Sequence, residues 1–206
     1  MIKLKEILVL AWFMVTILPI VSCNTIASEN KTPVYFISSS KGNDNNSGLT
    51  PNAPWATLEK VNSTKFLPGA KVLFKSGEEW FGQLEISSSG TKDSLIVFDK
   101  YGNGEKPKIH GQGQRRYTVL INNISYCTVR NLEITNEGKE PAPKRTGVLI
   151  QAINYGDSKE ININNLEVHH VNGSLVKKDG GGSAIFWHNG GDKVKSRFVG
   201  LSIENC

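Results

Sequence analysis

A four-residue phrase recurs in the second half of the chain and constrains its fold more than any other feature. It reads Asn131-Leu132-Glu133-Ile134, then Asn165-Leu166-Glu167-Val168, then Gly200-Leu201-Ser202-Ile203, and its leucines lie 34 and 35 residues apart. A fixed period of this length marks stacked supersecondary units, none of which buries its apolar face alone. Because apolar residues alternate in twos and Asn and Gly separate the runs, each unit is predicted to consist of β-strands. The sequence therefore predicts a parallel β-solenoid.

A second set of apolar runs supports the same stacking. Val119-Leu120-Ile121, Val148-Leu149-Ile150 and Ala184-Ile185-Phe186 precede the three phrases at similar distances. Each coil is therefore predicted to carry at least two strands at corresponding places. A β-sandwich would not explain why one phrase returns in phase.

Polar residues follow each repeated leucine at the same distance: Asn136, His170 and Asn205. In stacked coils such side chains would lie above one another at a bend and form a hydrogen-bonded ladder along the axis. We therefore interpret His170 first as a ladder residue, and catalysis or metal binding by it is the alternative.

The first segment is interpreted as a targeting element. Lys3 and Lys5 precede an apolar run of 15 residues, 7–21, which is short for a membrane span and typical of a signal peptide core. Its last two residues and the next two form Ile20-Val21-Ser22-Cys23, which resembles the lipobox of bacterial lipoproteins. By that resemblance residues 1–22 are a signal peptide, Cys23 is lipidated, and 23–32 form a tether. Simple secretion with cleavage nearby is the alternative.

After the tether we expect an N-terminal cap at 33–70 and solenoid coils at 71–206. The cap contains a predicted strand, Val34-Tyr35-Phe36-Ile37, and one or two helical turns that start at Trp55. A solenoid needs such a lid because the end of its core would otherwise meet water. Because the chain stops inside the third repeated phrase, we expect the series of coils to be incomplete.

Charge and cysteine content limit the expected partners. The formal net charge is +5, and loss of residues 1–22 would leave +4. Basic residues are interleaved with acidic ones, and no basic stripe with stacking aromatics occurs, so nucleic acid is not expected as a partner. A mildly basic surface suits an acidic polysaccharide. Cys127 is interpreted as a small core residue. The protein is expected to be a monomer.

Several stretches near the N-terminus carry a resemblance to known proteins. They are Tyr35-Phe36-Ile37-Ser38, Gly42-Asn43-Asp44, Ser47-Gly48, Pro54-Trp55-Ala56-Thr57-Leu58, the run 68–77, Ser89-Gly90, Tyr101-Gly102-Asn103-Gly104 and Pro107-Lys108-Ile109. With them the chain resembles right-handed parallel β-helix proteins of bacteria, similar to the polysaccharide lyases and β-helical glycoside hydrolases of Bacteroidetes. The resemblance implies an all-β, right-handed parallel β-helix with a short helix in its cap. Ala70 stands where such proteins usually have Asp, which affects one turn and not the fold.

The resemblance also implies a choice of chemistry. Pectate lyase-like enzymes need a base, commonly Lys, Arg or His, and often Ca²⁺ held by Asp and Glu. Ca²⁺ is therefore a candidate cofactor, although no spacing in the sequence amounts to a metal motif. Hydrolases need two carboxyl groups that flank the scissile bond.

Candidate site residues cluster in a Gly-rich insertion and in the strand that follows it. Trp187 would supply a stacking face for a sugar, and Asp179 a hydrogen-bond acceptor. Lys177, His188 and Asp192 are the catalytic candidates. The alternative is a solvated loop with turn glycines.

Arg115 and Arg116 follow Gly111-Gln112-Gly113-Gln114 and are candidates for contacting an acidic glycan. A charged turn is the alternative interpretation of this pair.

These observations predict a lipid-anchored protein of the bacterial cell envelope, in the periplasm or outer membrane, that belongs to a polysaccharide-degrading system. It would act on or bind an extended glycan, with lyase or glycosidase chemistry implied by the resemblance. Two alternatives stay open, a noncatalytic glycan-binding or adhesin-like solenoid and an inactive truncated fragment. The resemblance does not choose among them because the shared residues are turn and core positions.

Overall fold

The computed structural model describes residues 32–206, so the predicted signal peptide, Cys23 and most of the tether lie outside the described residues. The elements are β1 (Val34–Ile37), α1 (Leu58–Ser63), β2 (Lys71–Lys75), β3 (Glu79–Phe81), β4 (Leu84–Ile86), β5 (Ile96–Tyr101), β6 (Lys108–His110), β7 (Tyr117–Asn122), β8 (Cys127–Arg130), β9 (Glu133–Asn136), β10 (Thr146–Ile153), β11 (Asp157–Asn164), β12 (Glu167–Val171), a short 3-10 helix (Lys177–Asp179), β13 (Ser183–Gly190) and β14 (Arg197–Glu204). No helix in this part of the chain is long and apolar enough to cross a membrane.

The strands form three sheets that the chain visits in a fixed order. Sheet A contains β1, β2, β5, β8, β11 and β14, sheet B contains β3, β6, β9 and β12, and sheet C contains β4, β7, β10 and β13. From β2 to β11, every strand pairs in parallel with the strand three places later. The described chain is therefore nearly all β, and its connectivity is consistent with a solenoid of stacked coils.

Apolar side chains line up in columns on the inner faces of the sheets. Paired positions are Ile96, Cys127, Ile161 and Leu201 in sheet A, Trp80, Ile109, Ile134 and Val168 in sheet B, and Ile86, Ile121, Ile150 and Trp187 in sheet C. The first three members of each column are buried, which confirms Cys127 as a core residue. Burial of one such aliphatic side chain stabilises the fold by about 1.5–3 kcal/mol.

Asparagines in the left-handed backbone region turn the chain from sheet A to sheet B. Asn131 (φ 59°) separates β8 from β9, and Asn165 (φ 52°) separates β11 from β12. Asparagine tolerates this region because its short polar side chain can form local hydrogen bonds. The Asn165 Nδ2 donates to Asn131 Oδ1 at 2.8 Å, and the Asn131 Nδ2 donates to Asp99 Oδ1 at 2.7 Å. A ladder of side-chain amides therefore forms at the turn from sheet A to sheet B, which we call the asparagine corner.

The ladder predicted from Asn136 and His170 is wrong. Asn136 is buried, and its Nδ2 donates to the Thr146 carbonyl at 2.9 Å. His170 lies at a register shift in β12 and is exposed. Asn205 (φ 54°) instead continues the asparagine corner, because the carbonyl of the residue before it accepts the Asn165 N–H at 3.0 Å.

The third repeated phrase is out of register with the first two. Leu132 and Leu166 are equivalent, because the residues that follow them pair in β9 and β12. Leu201 pairs instead with Ile161 in sheet A. The coil from Ile161 to Leu201 takes 40 residues, whereas the coil from Cys127 to Ile161 takes 34. The Gly-rich insertion lengthens this coil, so a constant period misses the true partner.

A displacement of one residue also affects sheet C. The runs 119–121 and 148–150 pair as predicted. In β13, however, Ile150 pairs with Trp187 and Leu149 pairs with Phe186. Because side chains alternate along a strand, one residue of displacement exchanges the two faces. Trp187 therefore continues the inner column of Ile150, and Phe186 lies on the outer face beside Leu149.

The N-terminal end of the core is covered by β1 and α1. β1 pairs with β2 at the edge of sheet A, and the buried Leu58 and Val61 of α1 belong to the main apolar cluster. Thr57 Oγ1 accepts from the Lys60 N–H at 3.1 Å and so caps the helix. Thr57 Oγ1 also donates to Asp44 at 2.6 Å. The polar turn before the helix thus fixes where the helix begins.

The opposite end of the core remains partly accessible in the described structure. Trp187, Phe198, Leu201 and Ile203 contribute to a depression of about 640 Å³ beside β13 and β14, the last strands of sheets C and A. The Trp187 side chain is 55% exposed although its column is otherwise buried.

Candidate functional site

A groove of about 510 Å³ lies on the outer face of sheet C. Its lining comes from β7, β10 and β13 and from the loops that enter them. The lining residues are Arg116, Tyr117, Lys144, Thr146, Leu149, Gln151, the glycines 180–182, Ser183, Phe186 and His188. A concave surface that combines aromatic and apolar groups with a few convergent polar groups is typical of a ligand site.

Alternation along β10 and β13 builds the floor of the groove. Leu149 and Gln151 project outward from β10, and Phe186 and His188 occupy the paired positions in β13. The Phe186 and His188 rings are parallel within 6°, with centroids 6.5 Å apart. Phe186 is 48% exposed and therefore presents an accessible aromatic face.

Basic residues stand at one edge of this floor. The Arg116 guanidinium lies 5.4 Å from the centroid of the Tyr117 ring, within range of a cation–π contact. Its Nε donates to the Lys144 carbonyl at 3.4 Å. These contacts hold Arg116 at the mouth of the groove.

The Gly-rich loop closes the same edge. The Lys144 N–H donates to the Gly180 carbonyl at 3.0 Å, and the Ser183 N–H donates to the Arg145 carbonyl at 3.1 Å. A Cβ at Gly182 would lie 2.7 Å from the Gly173 Cα, so only glycine permits this approach of two backbones. The loop predicted to hold site residues is thus packed against the groove.

The structure brings together part of the predicted set. Arg116 and His188 both line the groove. Lys177 and Asp179 lie in the exposed 3-10 helix that leads directly into the glycines 180–182 of the groove wall. Arg115 is exposed in the turn before β7, and its carbonyl accepts from Asn136 Nδ2 at 3.2 Å.

Two predicted residues lie elsewhere. Trp187 lines the depression at the end of the core and not the groove, because of the displaced register in β13. Asp192 follows β13 and accepts from Asn154 Nδ2 at 3.2 Å and from the Lys193 N–H at 3.0 Å. Its own N–H, the Asn154 amide and the Lys193 N–H lower the pKa of this carboxyl group. Asp192 thus stabilises a turn in this structure.

Sequence reasoning missed Phe186, Tyr117 and Lys144. The sequence could have identified Phe186, because moving the predicted alignment of β13 with β10 by one residue places Phe186 beside Leu149. Tyr117 reaches the groove through the register of β7, where it pairs with Thr146. Lys144 carries no such signal, since it meets the groove through loop packing between coils.

Carboxylates with basic partners lie on the outer face of sheet B instead. Glu133 Oε1 is 3.0 Å from His169 Nε2 and 3.5 Å from Lys108 Nζ. Glu79 Oε2 is 3.6 Å from His110 Nε2. Polar and charged side-chain pairs across neighbouring strands stabilise a sheet, so we interpret this row as structural.

The groove can bind a ligand through stacking and hydrogen bonds. No Asp or Glu is among the residues that line it. Residues 32–206 also contain no group of three or more His, Cys, Asp or Glu side chains placed to hold a metal ion. The described residues therefore do not fit the candidate Ca²⁺, and we derive no step through a cation.

Comparison with known proteins shows a similarity to lacto-N-biosidases. No protein-family model matches the chain. A lacto-N-biosidase of Bifidobacterium longum subsp. longum is 28% identical over 215 residues, which cover 79% of this chain and 13% of that protein. The native crystal structure of a GH136 lacto-N-biosidase from Eubacterium ramulus superimposes with a TM-score of 0.69 and 30% identity, over 83% of this chain and 34% of that one. Its selenomethionine derivative gives the same TM-score with 29% identity and covers 84% of this chain and 34% of that one.

The chain thus spans about a third of the length of the solved relatives it matches. The comparisons agree with the glycoside hydrolase part of the resemblance. The lyase part and the lipoprotein signal stay predictions. By sequence and by structure, the chain is similar to glycoside hydrolases that act on glycans.

Proposed function

We propose that this chain forms a glycan-binding part of a right-handed β-helical glycoside hydrolase that acts on lacto-N-biose-containing glycans. The repeated parallel pairing of every third strand supports the β-helix, because parallel crossovers are almost always right-handed. The similarity to lacto-N-biosidases supports the substrate. The observation that carries the proposal is the aromatic and cationic groove on the outer face of sheet C.

The groove suits a sugar on physical grounds. A pyranose has an apolar C–H face that stacks on an aromatic ring, for which Phe186 is placed and exposed. Gln151 and His188 stand beside that ring and supply hydrogen-bond donors and acceptors for sugar hydroxyls.

Hydrolysis by the usual route requires a carboxylic acid and a second carboxylate beside the scissile bond. Since no carboxylate lines the groove in residues 32–206, the role that we assign to this surface is to bind and orient the glycan. Of the predicted catalytic residues, His188 would contact the bound sugar, and Lys177 and Asp179 stand on the loop beside it.

The test uses two measurements on the purified chain. Titration calorimetry with lacto-N-biose reports binding, and a chromogenic aryl lacto-N-bioside reports hydrolysis. We expect binding that Phe186→Ala weakens, and Glu85→Gln, on the exposed side of β4, serves as a control. Absence of both binding and hydrolysis would overturn the proposal.

A noncatalytic glycan-binding role is the second candidate. The lack of a carboxylate among the groove-lining residues favours it. Both candidates predict that the purified chain binds lacto-N-biose, and release of the chromophore from the aryl lacto-N-bioside would exclude the noncatalytic role. A rise in ultraviolet absorbance with uronic polymers would instead reveal the lyase chemistry that the sequence resemblance left open.

We further propose a lipid anchor at Cys23 and a place in the cell envelope. The lipobox-like residues before Cys23 support this assignment. Mass spectrometry of the N-terminal peptide should show a diacylglyceryl group on Cys23, and Cys23→Ala should release the protein from membranes. An unmodified peptide that begins at another residue would contradict it.

A further inference from the structure

Three loops that lead from sheet B into sheet C lie side by side at one edge of the groove. They are residues 111–116, 137–145 and 172–182, and we call them the basic rim. The Gly138 N–H donates to Asn172 Oδ1 at 2.9 Å, and the Asn172 Nδ2 donates to the Gly138 carbonyl at 2.7 Å. The rim is thus one connected surface, with its inner edge formed by residues that line the groove.

The basic rim carries the excess positive charge of the protein. Its three segments contain seven Lys or Arg residues against three acidic residues, Glu137, Glu140 and Asp179, a net charge of +4. Residues 23–206 as a whole also sum to +4, so everything outside the rim balances to zero. Charge concentrated beside a concave surface attracts ligands of the opposite sign.

Two of these cations face the groove and are free for a ligand. Arg116 and Lys144 line it, and in the described part of the chain neither forms a salt bridge. Arg145 differs, because it is buried and donates to the carbonyls of Glu140 at 2.8 Å and Asn172 at 3.1 Å. Arg145 therefore joins the loops, whereas Arg116 and Lys144 are available to a bound molecule.

We propose that the groove recognises a glycan with an anionic substituent, a sulfate ester or a carboxylate, held between Arg116 and Lys144. This inference rests on the proposed function and narrows its substrate class. A guanidinium presents a planar fork of donors that matches the oxygens of sulfate or carboxylate, and an ammonium adds a point charge beside it. The sugar ring then lies over Phe186, and the substituent points toward the rim.

The test compares matched ligands by titration calorimetry on the purified chain. The probes are lacto-N-biose, sulfated lacto-N-biose, a glucuronate-containing disaccharide and inorganic sulfate. We expect at least one anionic disaccharide to bind on the order of tenfold more tightly than lacto-N-biose, as charge-assisted hydrogen bonds allow. Added NaCl should reduce this advantage.

Variants locate the effect. Arg116→Gln or Lys144→Gln should remove most of the preference for the anionic disaccharide over lacto-N-biose. Lys92→Gln removes the same charge from the exposed loop between β4 and β5 and should leave the preference unchanged.

The outcomes separate this inference from the proposed function. Equal binding of neutral and anionic disaccharides overturns the inference and leaves the proposed function standing. Inorganic sulfate that binds as tightly as the anionic disaccharides also overturns it, since the site would then hold an ion only. No binding by any disaccharide overturns the proposed function itself.

Discussion

At the scale of single residues, the register of β13 decides which aromatic side chain faces a ligand. Phe186 and Trp187 are neighbours in sequence, yet one lies on the outer face of sheet C and the other at the end of the inner column. A tryptophan beside a histidine and a Gly-rich loop suggested a sugar platform from the sequence. Because side chains alternate along the strand, Phe186 and not Trp187 faces the groove.

The two aromatics provide a matched pair of variants. Phe186→Ala should weaken lacto-N-biose binding by about two- to twelvefold, from the loss of about 0.5–1.5 kcal/mol of stacking, with little change in Tm. Trp187→Ala should lower Tm and leave the affinity within about twofold, a difference below 0.5 kcal/mol. Titration calorimetry and thermal melting check both, and the opposite pattern would show that Trp187 is the sugar platform.

The two described cysteines should differ sharply in reactivity. Burial raises the pKa of the Cys127 thiol to about 12, and only the thiolate reacts. Cys206 is exposed. Brief treatment of the native protein with iodoacetamide should therefore modify Cys206 and spare Cys127, and peptide mass spectrometry checks this. Equal modification would mean that the coil containing Cys127 opens readily.

At the scale of elements, the inner faces of the strands were predictable and the lengths of the connections were not. Alternating apolar residues mark the strands because each needs one face in the core. The coil that contains the Gly-rich insertion is 40 residues long, and the length of this loop cannot be predicted from its composition. For this reason the sequence aligned Leu201 with Leu166, whereas in the structure Leu201 pairs with Ile161.

The inner columns should dominate stability. Ile161 is 1% exposed and stands between Cys127 and Leu201. Ile161→Ala should lower the free energy of unfolding by about 2–5 kcal/mol, because it removes buried methyl groups and leaves a cavity. Asn162→Ala, one residue later on the opposite face, should change it by less than about 0.5 kcal/mol. Urea denaturation measures both, and equal effects would contradict the assigned faces.

The cap should weaken in acid through Glu78. Ser38 Oγ donates to Glu78 Oε2 at 2.9 Å, and Ser40 Oγ donates to Oε1 at 2.6 Å. Burial opposes ionisation, but the hydrogen bonds from Ser40 and Ser38 outweigh it and lower the pKa of Glu78 from 4.5. A carboxyl group with a lowered pKa in the folded state contributes stability above its unfolded pKa. This contribution disappears as the pH falls through the folded value.

Tm should therefore fall between neutral pH and pH values below the folded-state pKa of Glu78. This fall in Tm should be smaller in Glu78→Gln. The variant should also be less stable than the original at neutral pH. Glu85→Gln, on the exposed side of β4, should keep the full loss in acid. If Tm falls in acid by the same amount in Glu78→Gln as in the original protein, other carboxyl groups are responsible for the fall.

At the scale of the whole molecule, the three sheets place side chains from distant parts of the sequence on one surface. Arg116, Lys144 and His188 belong to different coils and meet at one groove. Sequence reasoning selected Arg116 and His188 as separate candidates, because each stood near a turn rich in glycine. Only the stacking of coils shows that they share a site, and that Lys144 joins them.

The chain matches lacto-N-biosidases over most of its own length but over about a third of the solved relatives. The basic rim adds a feature that the comparison by itself does not explain, since lacto-N-biose is a neutral disaccharide.

The most direct test of the account is a crystal structure of this protein with lacto-N-biose. We predict that a sugar ring lies over Phe186 on the outer face of sheet C, between Arg116 and His188. A disaccharide bound at another surface, or an empty groove in crystals saturated with the sugar, would contradict it.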